Sequence, residues 1–351
     1  MVRNIFSRSC SCCEMPAPGR RAFLAGAAAL GGLAITGRAQ AQARPFRIDV
    51  HHHVASPAWV AALKKAKMDS PPVNNWTPEK SLAEMDRGGI ATSILSVTQP
   101  AMGFLPASEA AALARASNEY TKGLAQAHPG RFGMFAVLPM PFVDESLAEI
   151  AYALDVMGAD GIAMLTSYGT KFLGDPAFTP ILEELNRRKV TVYTHPADPS
   201  CCQNLAGLPG QIIEFGTDTT RTIASLIFSG AAARTHDINW IFSHAGGTLT
   251  SLVERFTVQL PGLPAYKAFT GEGVLAELKR FNYDTAQAAN PMTMGALTQI
   301  VKPSQIVFGT DYPYRTAPEQ VAGLAAFFNA GDLKLIERGN AERLLPKWKS
   351  T

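Results

Sequence analysis

The sequence Ile48-Asp49-Val50-His51-His52-His53 joins a short apolar, β-branched run to three histidines. Such a run favours a β-strand, on which side chains two residues apart share one face. His51 and His53 are therefore expected on the same face, with His52 opposite them and Asp49 one layer deeper beneath them. Two imidazoles on one face can bind one divalent ion. The segment predicts a strand that ends in a metal site or, alternatively, in a hydrogen-bonded histidine cluster.

Seven further strand candidates follow, separated by helical patterns. Parallel strands need a crossover of about a dozen residues, so this alternation predicts a parallel sheet. Eight strand–helix units in roughly 300 residues fit a single α/β domain of the (β/α)8 TIM-barrel type over residues 44–351. A doubly wound open sheet is the alternative, but no glycine-rich phosphate turn follows the first strand. The predicted strands span 47–53, 91–98, 131–138, 161–165, 190–195, 238–244, 281–285 and 306–311.

Three of the later strand candidates end at side chains that bind metals or transfer protons, namely His195, His244 and Asp311. Because the carboxyl ends of all barrel strands meet at one mouth, His51, His53, His195 and Asp311 are expected around a single ion. Three neutral imidazoles and one carboxylate suit Zn²⁺, with Mn²⁺ as the alternative, and leave a position for water or substrate. The pattern predicts a mononuclear metal site.

These segments resemble the amidohydrolase superfamily, and within it the branch related to aminocarboxymuconate-semialdehyde decarboxylase. Two segments look like those of one group within this branch, the 6-methylsalicylate decarboxylase-type proteins. They are Asn118-Glu119-Tyr120 and His128-Pro129-Gly130-Arg131-Phe132-Gly133. The resemblance covers essentially the whole chain after residue 43. It rests on His51-x-His53, Thr194-His195-Pro196, Ser243-His244-Ala245-Gly246-Gly247, Gly309-Thr310-Asp311-Tyr312-Pro313 and Gly339-Asn340-Ala341.

The resemblance implies a role for each matching residue. In the family, the counterparts of His51, His53, His195 and Asp311 ligate the metal. The counterpart of His244 stays off the metal and performs acid–base or substrate-orienting work. Asp311 and His244 are therefore the expected catalytic residues.

Two further features follow from the same resemblance. Binuclear relatives carry a carboxylated lysine at the end of strand four, where this chain has Met164-Leu165-Thr166, so one metal is expected. An arginine matching Arg255 helps to bind the substrate carboxylate in the family. A surface arginine on an amphipathic helix is the other interpretation of Arg255.

Two enzyme mechanisms and one non-enzymatic function are open. The resemblance favours non-oxidative decarboxylation of an aromatic hydroxy acid such as a salicylate-type substrate, with Asp311 protonating the ring as in salicylate-type relatives. In the muconate-type relative the counterpart of His244 instead activates a metal-bound water. A hydroxyl ortho to the carboxylate lets both oxygens bind one metal, which would orient such a substrate. Hydrolysis of a lactone, ester or amide at the same metal is the alternative, with Asp311 acting as base. A metal-scavenging protein without turnover is the third, which the presence of His244 disfavours.

The charge of the chain is distributed unevenly. The net charge is +3, but the first 43 residues hold five arginines and one glutamate, so the rest of the chain carries −1. Nucleic-acid binding needs a basic surface that offsets phosphate charge. The nearly neutral body therefore argues against a nucleic-acid partner. The resemblance implies a small-molecule carboxylic acid as the partner.

Residues 1–43 resemble a twin-arginine export signal. Arg20-Arg21-Ala22-Phe23-Leu24 is followed by an apolar run to Ile35 and by small residues up to Ala43, which is the layout of a cleaved signal. The run is about 14 residues, shorter than a membrane span. We therefore expect a periplasmic or secreted product without a membrane span after signal removal. A Sec signal or an amphipathic N-terminal helix is the alternative.

The five cysteines do not form a disulfide pattern. Cys10, Cys12 and Cys13 lie in the predicted signal, which leaves the adjacent pair Cys201 and Cys202. Neighbouring cysteines seldom pair because the resulting ring is strained. No disulfide framework is predicted.

Two connections are long for a barrel, at 55–76 and 259–280. Connections of this length are often lids or interface segments. The second one has few charges, and an exposed apolar patch of this kind usually meets a partner surface. A C2 homodimer is the commonest solution, and the resemblance points the same way. The large apolar residues of the patch are Leu260, Leu263, Tyr266, Phe269 and Leu275.

Overall fold

The computed structural model describes residues 45–349 except 199, 201–204, 206 and 260–271. The predicted export signal at 1–43 lies outside the described residues, as do Cys201 and Cys202. Most of the predicted apolar patch does too. Of its five large side chains Leu275 alone is described, and 43% of its surface is exposed.

The described residues contain ten strands: β1 (Arg47–His53), β2 (Ile90–Ser96), β3 (Phe132–Val137), β4 (Gly161–Leu165), β5 (Ser167–Tyr168), β6 (Lys171–Phe172), β7 (Thr191–His195), β8 (Asn239–Phe242), β9 (Asn282–Asp284) and β10 (Ile306–Val307). Eight of them form one parallel sheet in the order β1-β2-β3-β4-β7-β8-β9-β10. The Val50 N–H donates to Phe308 O at 3.0 Å, and the Asp311 N–H donates to His51 O at 2.8 Å. These bonds join the last strand to the first, and the predicted (β/α)8 barrel is confirmed. The antiparallel hairpin of β5 and β6 was not predicted.

Fourteen α-helices lie among the described residues: α1 (Pro57–Ala66), α2 (Pro71–Asn74), α3 (Pro78–Gly88), α4 (Ala107–Ala127), α5 (Val143–Ala151), α6 (Thr179–Arg187), α7 (Glu214–Phe228), α8 (Ala231–Arg234), α9 (Leu249–Glu254), α10 (Val274–Arg280), α11 (Pro291–Leu297), α12 (Ala317–Ala325), α13 (Ala330–Lys334) and α14 (Asn340–Leu344). Helix α3 shows how the sequence sets their ends. The Thr77 side chain accepts the Lys80 N–H at the start, and Gly89 ends the helix in the left-handed conformation with φ 61°. None of the described helices is long and apolar enough to cross a membrane.

Single turns of tighter or wider helix occur between these elements. The 3-10 turns are Pro176–Phe178, Gly210–Ile212, His244–Gly246, Pro303–Gln305 and Pro346–Trp348. The π-helical turns are Tyr152–Val156, Arg255–Gln259 and Leu335–Gly339. The turn after β8 matters most for function, because it begins at His244.

The barrel interior holds a small apolar core to which seven of the eight barrel strands contribute. Its strand members are Ile48, Val50, Ile94, Phe135, Ala163, Tyr193, Ile241 and Val307. Side chains of a regular strand alternate between its two faces. With Ile48 and Val50 in this core, regular alternation along β1 would place His52 inside the barrel as well.

A bulge in β1 changes this alternation. Its pairing with β2 shifts register between Asp49 and His52, and such an extra residue re-aims the side chains that follow it. The His51 ring consequently lies 5.2 Å from the ring of Tyr193 in the interior, and His53 faces the same way. The expectation that Asp49 lies beneath His51 and His53 is wrong, since its carboxylate lies 2.9 Å from His52 Nδ1 instead.

Two strands end earlier than predicted. β8 ends at Phe242 rather than at 244, and β10 ends at Val307 rather than at 311. His244 has φ 54° and Asp311 has φ 63°, a left-handed conformation that cannot continue a strand. Non-glycine residues in this conformation are strained and cluster at functional sites. The other six barrel strands begin and end within two residues of their predicted bounds.

Candidate metal centre and active site

The four predicted metal ligands converge at the C-terminal mouth of the barrel. His51 and His53 belong to β1, His195 ends β7, and Asp311 follows β10. All four are buried, and one ligand atom from each lies within 4.8 Å of the others. His51 Nε2 lies 3.2 Å from both His53 Nε2 and Asp311 Oδ1, and that oxygen lies 3.0 Å from His53 Nε2. The barrel thus assembles a site from residues that are far apart in sequence.

Hydrogen bonds fix how the three ligand imidazoles are oriented. In each ring Nδ1 faces an acceptor: Asp284 Oδ2 at 2.7 Å from His51, Ser96 O at 3.3 Å from His53, and Pro196 O at 2.8 Å from His195. These contacts assign the ring proton to Nδ1 and leave the Nε2 lone pair for a metal. Three nitrogen donors and one carboxylate oxygen therefore fit a single divalent ion such as Zn²⁺ or Mn²⁺.

The charges in the site also favour a cation. Burial alone would lower the pKa of His51, but Asp284 and Asp311 outweigh it and raise that pKa to about 10. Burial lowers the pKa of His53 and, with the neighbouring imidazoles, lowers that of His195 well below its usual value. Burial would raise the pKa of Asp311, but His51 and the other imidazoles hold it well below its usual value. His53 and His195 are thus neutral, whereas His51 is protonated between Asp284 and Asp311, and a divalent ion would take the place of that proton.

His244 lies beside the four-ligand set but outside it. Its ring centroid is 5.1 Å from that of His51, and its Nε2 is 3.5 Å from Asp311 Oδ2. This nitrogen is buried and has no hydrogen-bond partner among the described residues, while 11% of the side chain is exposed. Buried polar atoms are normally paired. His244 Nε2 is an exception to this rule, and the acid–base or substrate-orienting role expected of His244 stays a prediction.

Asp284 and Gln287 complete the site, and the sequence analysis identified neither. Asp284 ends β9; its Oδ2 contacts His51 Nδ1, and its Oδ1 accepts the His244 N–H at 2.9 Å. It therefore positions a metal ligand and the neighbouring histidine together. Gln287 Nε2 donates to Asp311 Oδ2. A carboxylate at a predicted strand end was a usable signal for Asp284, whereas nothing in the sequence marks Gln287.

Gly309 allows β1 and the segment after β10 to approach closely. A Cβ atom at this position would lie 2.8 Å from His51 Cβ and 3.3 Å from Asp284 Cβ. The first distance is too short for carbon atoms, so a larger residue would displace His51. The glycine that precedes Thr310-Asp311 is thus part of the site's construction.

A second buried network lies behind β1. Asp49 Oδ1 accepts the backbone N–H groups of His51 at 3.0 Å and Thr310 at 3.1 Å, and Oδ2 accepts the Thr310 hydroxyl at 2.6 Å. Oδ2 also contacts His52 Nδ1, whose ring reaches Ser81 Oγ on α3 through Nε2 at 2.5 Å. The network links the segments that carry the first and last metal ligands. His52 thus faces away from His51 and His53, as expected, and links β1 to α3.

The residues that follow β4 bind a carboxylate outside the four-ligand set. Thr166 donates its hydroxyl to Asp218 on α7, and Ser167 Oγ donates to the same carboxylate at 3.1 Å. The Ala197 N–H also reaches this carboxylate, at 3.3 Å, and burial raises the pKa of Asp218. The position at which binuclear relatives are expected to carry a bridging lysine is therefore occupied by a threonine bound to another side chain.

The remaining sequence candidates lie apart from this cluster. Arg255 follows α9 and is exposed. Its guanidinium makes no hydrogen bond or ion pair with another described residue, so its proposed contact with a substrate carboxylate rests on the resemblance. His128 is the C-cap residue of α4. His236 precedes β8, at the end of the strand opposite to His244.

Three histidines and one aspartate at the C-terminal mouth of a (β/α)8 barrel define a metal-dependent barrel enzyme. The particular family follows from comparison with known proteins. The chain belongs to the amidohydrolase family, whose sequence profile matches residues 48–347. The resemblance found in the sequence is confirmed.

Its named relatives are decarboxylases. The chain is 37% identical over 324 residues to decarboxylase macB of Penicillium terrestre, a match that covers 86% of this chain and 96% of the relative. It is 35% identical over 319 residues to the 6-methylsalicylic acid decarboxylase of Penicillium expansum, covering 86% and 97%. These relatives identify the chain as a carboxy-lyase within its family.

A solved structure shares the fold. The dihydroxybenzoic acid decarboxylase of Polaromonas sp. JS666, with bound manganese and the inhibitor 2-nitroresorcinol, matches with a TM-score of 0.75. The two chains are 20% identical, and the match covers 87% of this chain and 98% of the other. At this identity the likeness establishes a common architecture.

Proposed function

We propose that this enzyme is a metal-dependent, non-oxidative decarboxylase of aromatic acids that carry a hydroxyl ortho to the carboxylate. The observation that carries the proposal is the pairing of Asp311 with His244 at the edge of the four-ligand set. Asp311 Oδ1 faces the ligand imidazoles, whereas Oδ2 faces His244 Nε2 at 3.5 Å. One carboxylate thus belongs to the metal site and to a proton-transfer pair. The 6-methylsalicylic acid decarboxylase named above supports this substrate class.

The ligand set supplies the first requirement of the reaction. His51, His53, His195 and Asp311 would hold a divalent ion, Zn²⁺ or Mn²⁺ by their donor chemistry, which would supply positive charge to attract the carboxylate and the ortho oxygen of the substrate. The fixed Nδ1 contacts of the three imidazoles keep those donors oriented. We name Zn²⁺ first because imidazole nitrogen is one of its common ligands, and the manganese in the Polaromonas enzyme supports Mn²⁺ as the alternative.

Asp311 and His244 supply the second requirement, a proton for the ring. The ring carbon that bears the carboxylate gains a proton, its bond to the carboxylate breaks, and that electron pair returns to the ring as CO₂ leaves. Because Asp311 is ionised at rest, His244 first transfers a proton to its Oδ2 across the 3.5 Å gap, and Asp311 then passes this proton to the ring carbon and is ionised again. His244, which is 11% exposed, regains its proton from solvent. Gln287 holds the same oxygen in place through its amide. General acid–base catalysis of this kind contributes roughly 10²–10⁴-fold in rate.

Hydrolysis of a lactone, ester or amide remains the competing reaction for the same residues. Asp311 would then accept a proton from water rather than give one to a ring. The decarboxylase names of the relatives favour decarboxylation, and the position of His244 Nε2 beside Asp311 speaks against a protein that merely stores metal.

The test follows CO₂ release from matched acids by the full chain loaded with Zn²⁺ or Mn²⁺. We expect 2-hydroxybenzoates to react at least about 100-fold faster than 4-hydroxybenzoates, a difference of ~2.7 kcal/mol in the barrier, because the para isomer cannot present both oxygens to one ion. Equal rates for the two acids would contradict the proposal. Ring opening of a lactone of similar size without CO₂ release would establish the hydrolase instead.

We also propose that the enzyme is exported and acts as a homodimer. The twin-arginine-type segment at 1–43 supports export, and the apolar residues within 259–280 support a dimer. Cell fractionation and sedimentation of the purified protein test these two proposals separately.

A further inference from the structure

The ring of His195 is oriented through the residue that follows it. Its Nδ1 lies 2.8 Å from Pro196 O. Thr98 Oγ1 lies 3.4 Å from both ring nitrogens of His195, so this hydroxyl does not distinguish one nitrogen from the other. The tautomer of His195, and with it the lone pair that Nε2 offers to a metal, therefore depends on where the Pro196 carbonyl points.

The Pro196 carbonyl belongs to a peptide unit that is held from its other side. Ala197 supplies the N–H of this unit, and that N–H donates to Asp218 Oδ2 at 3.3 Å. A peptide unit is planar, and in the trans form, which this one has, its N–H and C=O point in opposite directions. A hydrogen bond that fixes the N–H toward Asp218 consequently fixes the C=O toward His195.

Asp218 is itself held in place and shielded from water. It lies on α7 and is fully buried. Thr166 donates its hydroxyl to Oδ2, and Ser167 Oγ lies 3.1 Å from Oδ2 and 3.2 Å from Oδ1. Hydrogen bonds to a carboxylate are about twice as strong as those between neutral groups. A carboxylate that accepts the N–H of a peptide unit also polarises the unit and makes its carbonyl a better acceptor.

Two further contacts join the same helix to His195. The Thr166 N–H donates to His195 O at 2.9 Å, and Thr166 O accepts the Thr222 hydroxyl of α7 at 2.8 Å. Phe215, also on α7, places its ring edge to face with the His195 imidazole, and the centroids are 6.0 Å apart. The helix therefore supports the backbone and the ring of His195. Of these contacts, the one through Ala197 leads to Nδ1.

The site contains a direct form of the same arrangement. Asp284 Oδ2 contacts Nδ1 of His51 at 2.7 Å without an intervening peptide unit. A ligand imidazole that donates its other N–H to a fixed acceptor is a better metal ligand, and a carboxylate is a common acceptor. Asp218 stands in the corresponding place behind His195, one peptide unit further away.

We propose that Asp218 is a positioning residue of the metal site, which keeps the proton of His195 on Nδ1 through the peptide unit between Pro196 and Ala197. The inference rests on the proposed function, because it takes His195 as a metal ligand. Asp218 thus contributes to metal affinity although its hydrogen bonds go to Thr166, Ser167 and Ala197 rather than to a ligand side chain.

A purely structural role for Asp218 leads to a different expectation. The carboxylate also joins α7 to the residues after β4, so its loss would lower stability in either case. A structural role predicts that metal affinity falls in step with stability. A positioning role predicts that the Nδ1 proton of His195 responds and that of His51 does not.

The test compares two replacements of nearly equal shape in the full chain. Asp218→Leu accepts no hydrogen bond and should weaken Zn²⁺ binding about 10- to 100-fold, measured against a competing chelator. Asp218→Asn keeps an amide oxygen for the Ala197 N–H, and its NH₂ can donate to the Ser167 hydroxyl, which accepts as well as donates. It should therefore bind Zn²⁺ nearly as tightly as the wild type. Unchanged affinity in Asp218→Leu, or an equal loss in both variants, would overturn the proposal.

Thr222→Val is the matched control for stability. It removes a buried hydroxyl of α7 that donates to Thr166 O and accepts the Leu173 N–H at 3.1 Å, but it leaves the Ala197 N–H paired with Asp218. We expect it to lower the urea midpoint and to leave Zn²⁺ affinity unchanged. A loss of affinity as large as that in Asp218→Leu would show that α7 acts through stability alone. Asp218→Ala makes the same test if Asp218→Leu does not fold.

Nuclear magnetic resonance observes the proton itself. In the full chain labelled with ¹⁵N-histidine and saturated with Zn²⁺, His195 should carry its proton on Nδ1 and exchange it slowly with water. Asp218→Leu should speed this exchange about tenfold without changing that of His51. A wild-type His195 without a protected Nδ1 proton, or equal acceleration at both histidines, would contradict the proposal.

These readouts separate the role of Asp218 from the reaction. If affinity and proton exchange respond as expected but no acid releases CO₂, the proposed function fails and the positioning role stands. If CO₂ is released but neither readout responds to Asp218→Leu, the positioning role fails and the function stands. A wild-type chain that does not bind a divalent ion would overturn both.

Discussion

Asp284 Oδ2 lies 2.7 Å from Nδ1 of His51, and both side chains are completely buried. The carboxylate holds the imidazole proton on Nδ1, so Nε2 faces the site with its lone pair. Through its other oxygen the same carboxylate accepts the His244 N–H at 2.9 Å. One residue at the end of β9 thus sets the protonation of a metal ligand and the position of the neighbouring histidine.

Asp284→Asn should weaken metal binding about 10- to 100-fold. The amide NH₂ would donate to Nδ1 of His51 and so move the ring proton to Nε2, where it blocks the lone pair. Titration against a competing chelator measures the affinity. Asp155→Asn removes an exposed carboxylate of the same type and should leave the affinity unchanged; a similar loss in both variants would argue against the tautomer mechanism.

His195→Ala and His244→Ala should differ in metal content although both lose activity. The first removes a ligand and should lower metal content and activity together. The second should keep the metal but lose about 10²–10⁴-fold in kcat, as expected for a lost acid–base group. Elemental analysis and turnover on the same samples separate the two outcomes, with His236→Ala as the control. Equal metal loss in both variants would show that His244 is a ligand.

The sequence was sufficient to predict the residues at the barrel mouth. Parallel strands bring their carboxyl ends together, so His51, His53, His195 and Asp311 could be grouped without knowing any distance. The same rule covered Asp284, because it lies within a predicted strand next to the mouth. It was missed because it does not belong to a recognisable segment and acts through His51 rather than on the ion.

Other features depend on contacts that sequence patterns do not encode. The bulge between Asp49 and His52 arises from pairing with β2, and a one-residue shift in a strand reverses the faces of all side chains beyond it. Regular alternation therefore gave the wrong face for Asp49. Gln287, which donates to Asp311, lies in a loop and has φ 54°. The helix and strand periodicities of a sequence do not predict the position of such a side chain.

Addition of the ion should stabilise the folded protein. A ligand that binds the native state at 100 times its Kd adds about 2.7 kcal/mol, which for a domain of this size raises Tm by roughly 5 °C. Differential scanning fluorimetry of chelator-treated protein with Zn²⁺ or Mn²⁺ measures the shift, and Mg²⁺ serves as the control for a hard cation that prefers oxygen ligands. His195→Ala should show a smaller shift; an unchanged shift in that variant would place the ion elsewhere.

Asp49 should stabilise the fold more than any other member of its network. Its carboxylate accepts two backbone N–H groups, from His51 and Thr310, and the Thr310 hydroxyl, and it contacts His52 Nδ1. Asp49→Ala would leave these buried donors unpaired, and each such group costs about 1–3 kcal/mol. We expect a loss of roughly 3–5 kcal/mol in the free energy of unfolding. Ser81→Ala removes one contact of His52 and should cost about 1 kcal/mol, and urea denaturation measures both.

The position of Asp49 between the segments of the first and last metal ligands adds a second readout, because Asp49→Ala should also weaken metal binding whereas Ser81→Ala should not. Similar losses of stability and metal affinity in the two variants would mean that the segment holding Thr310 is fixed by other contacts.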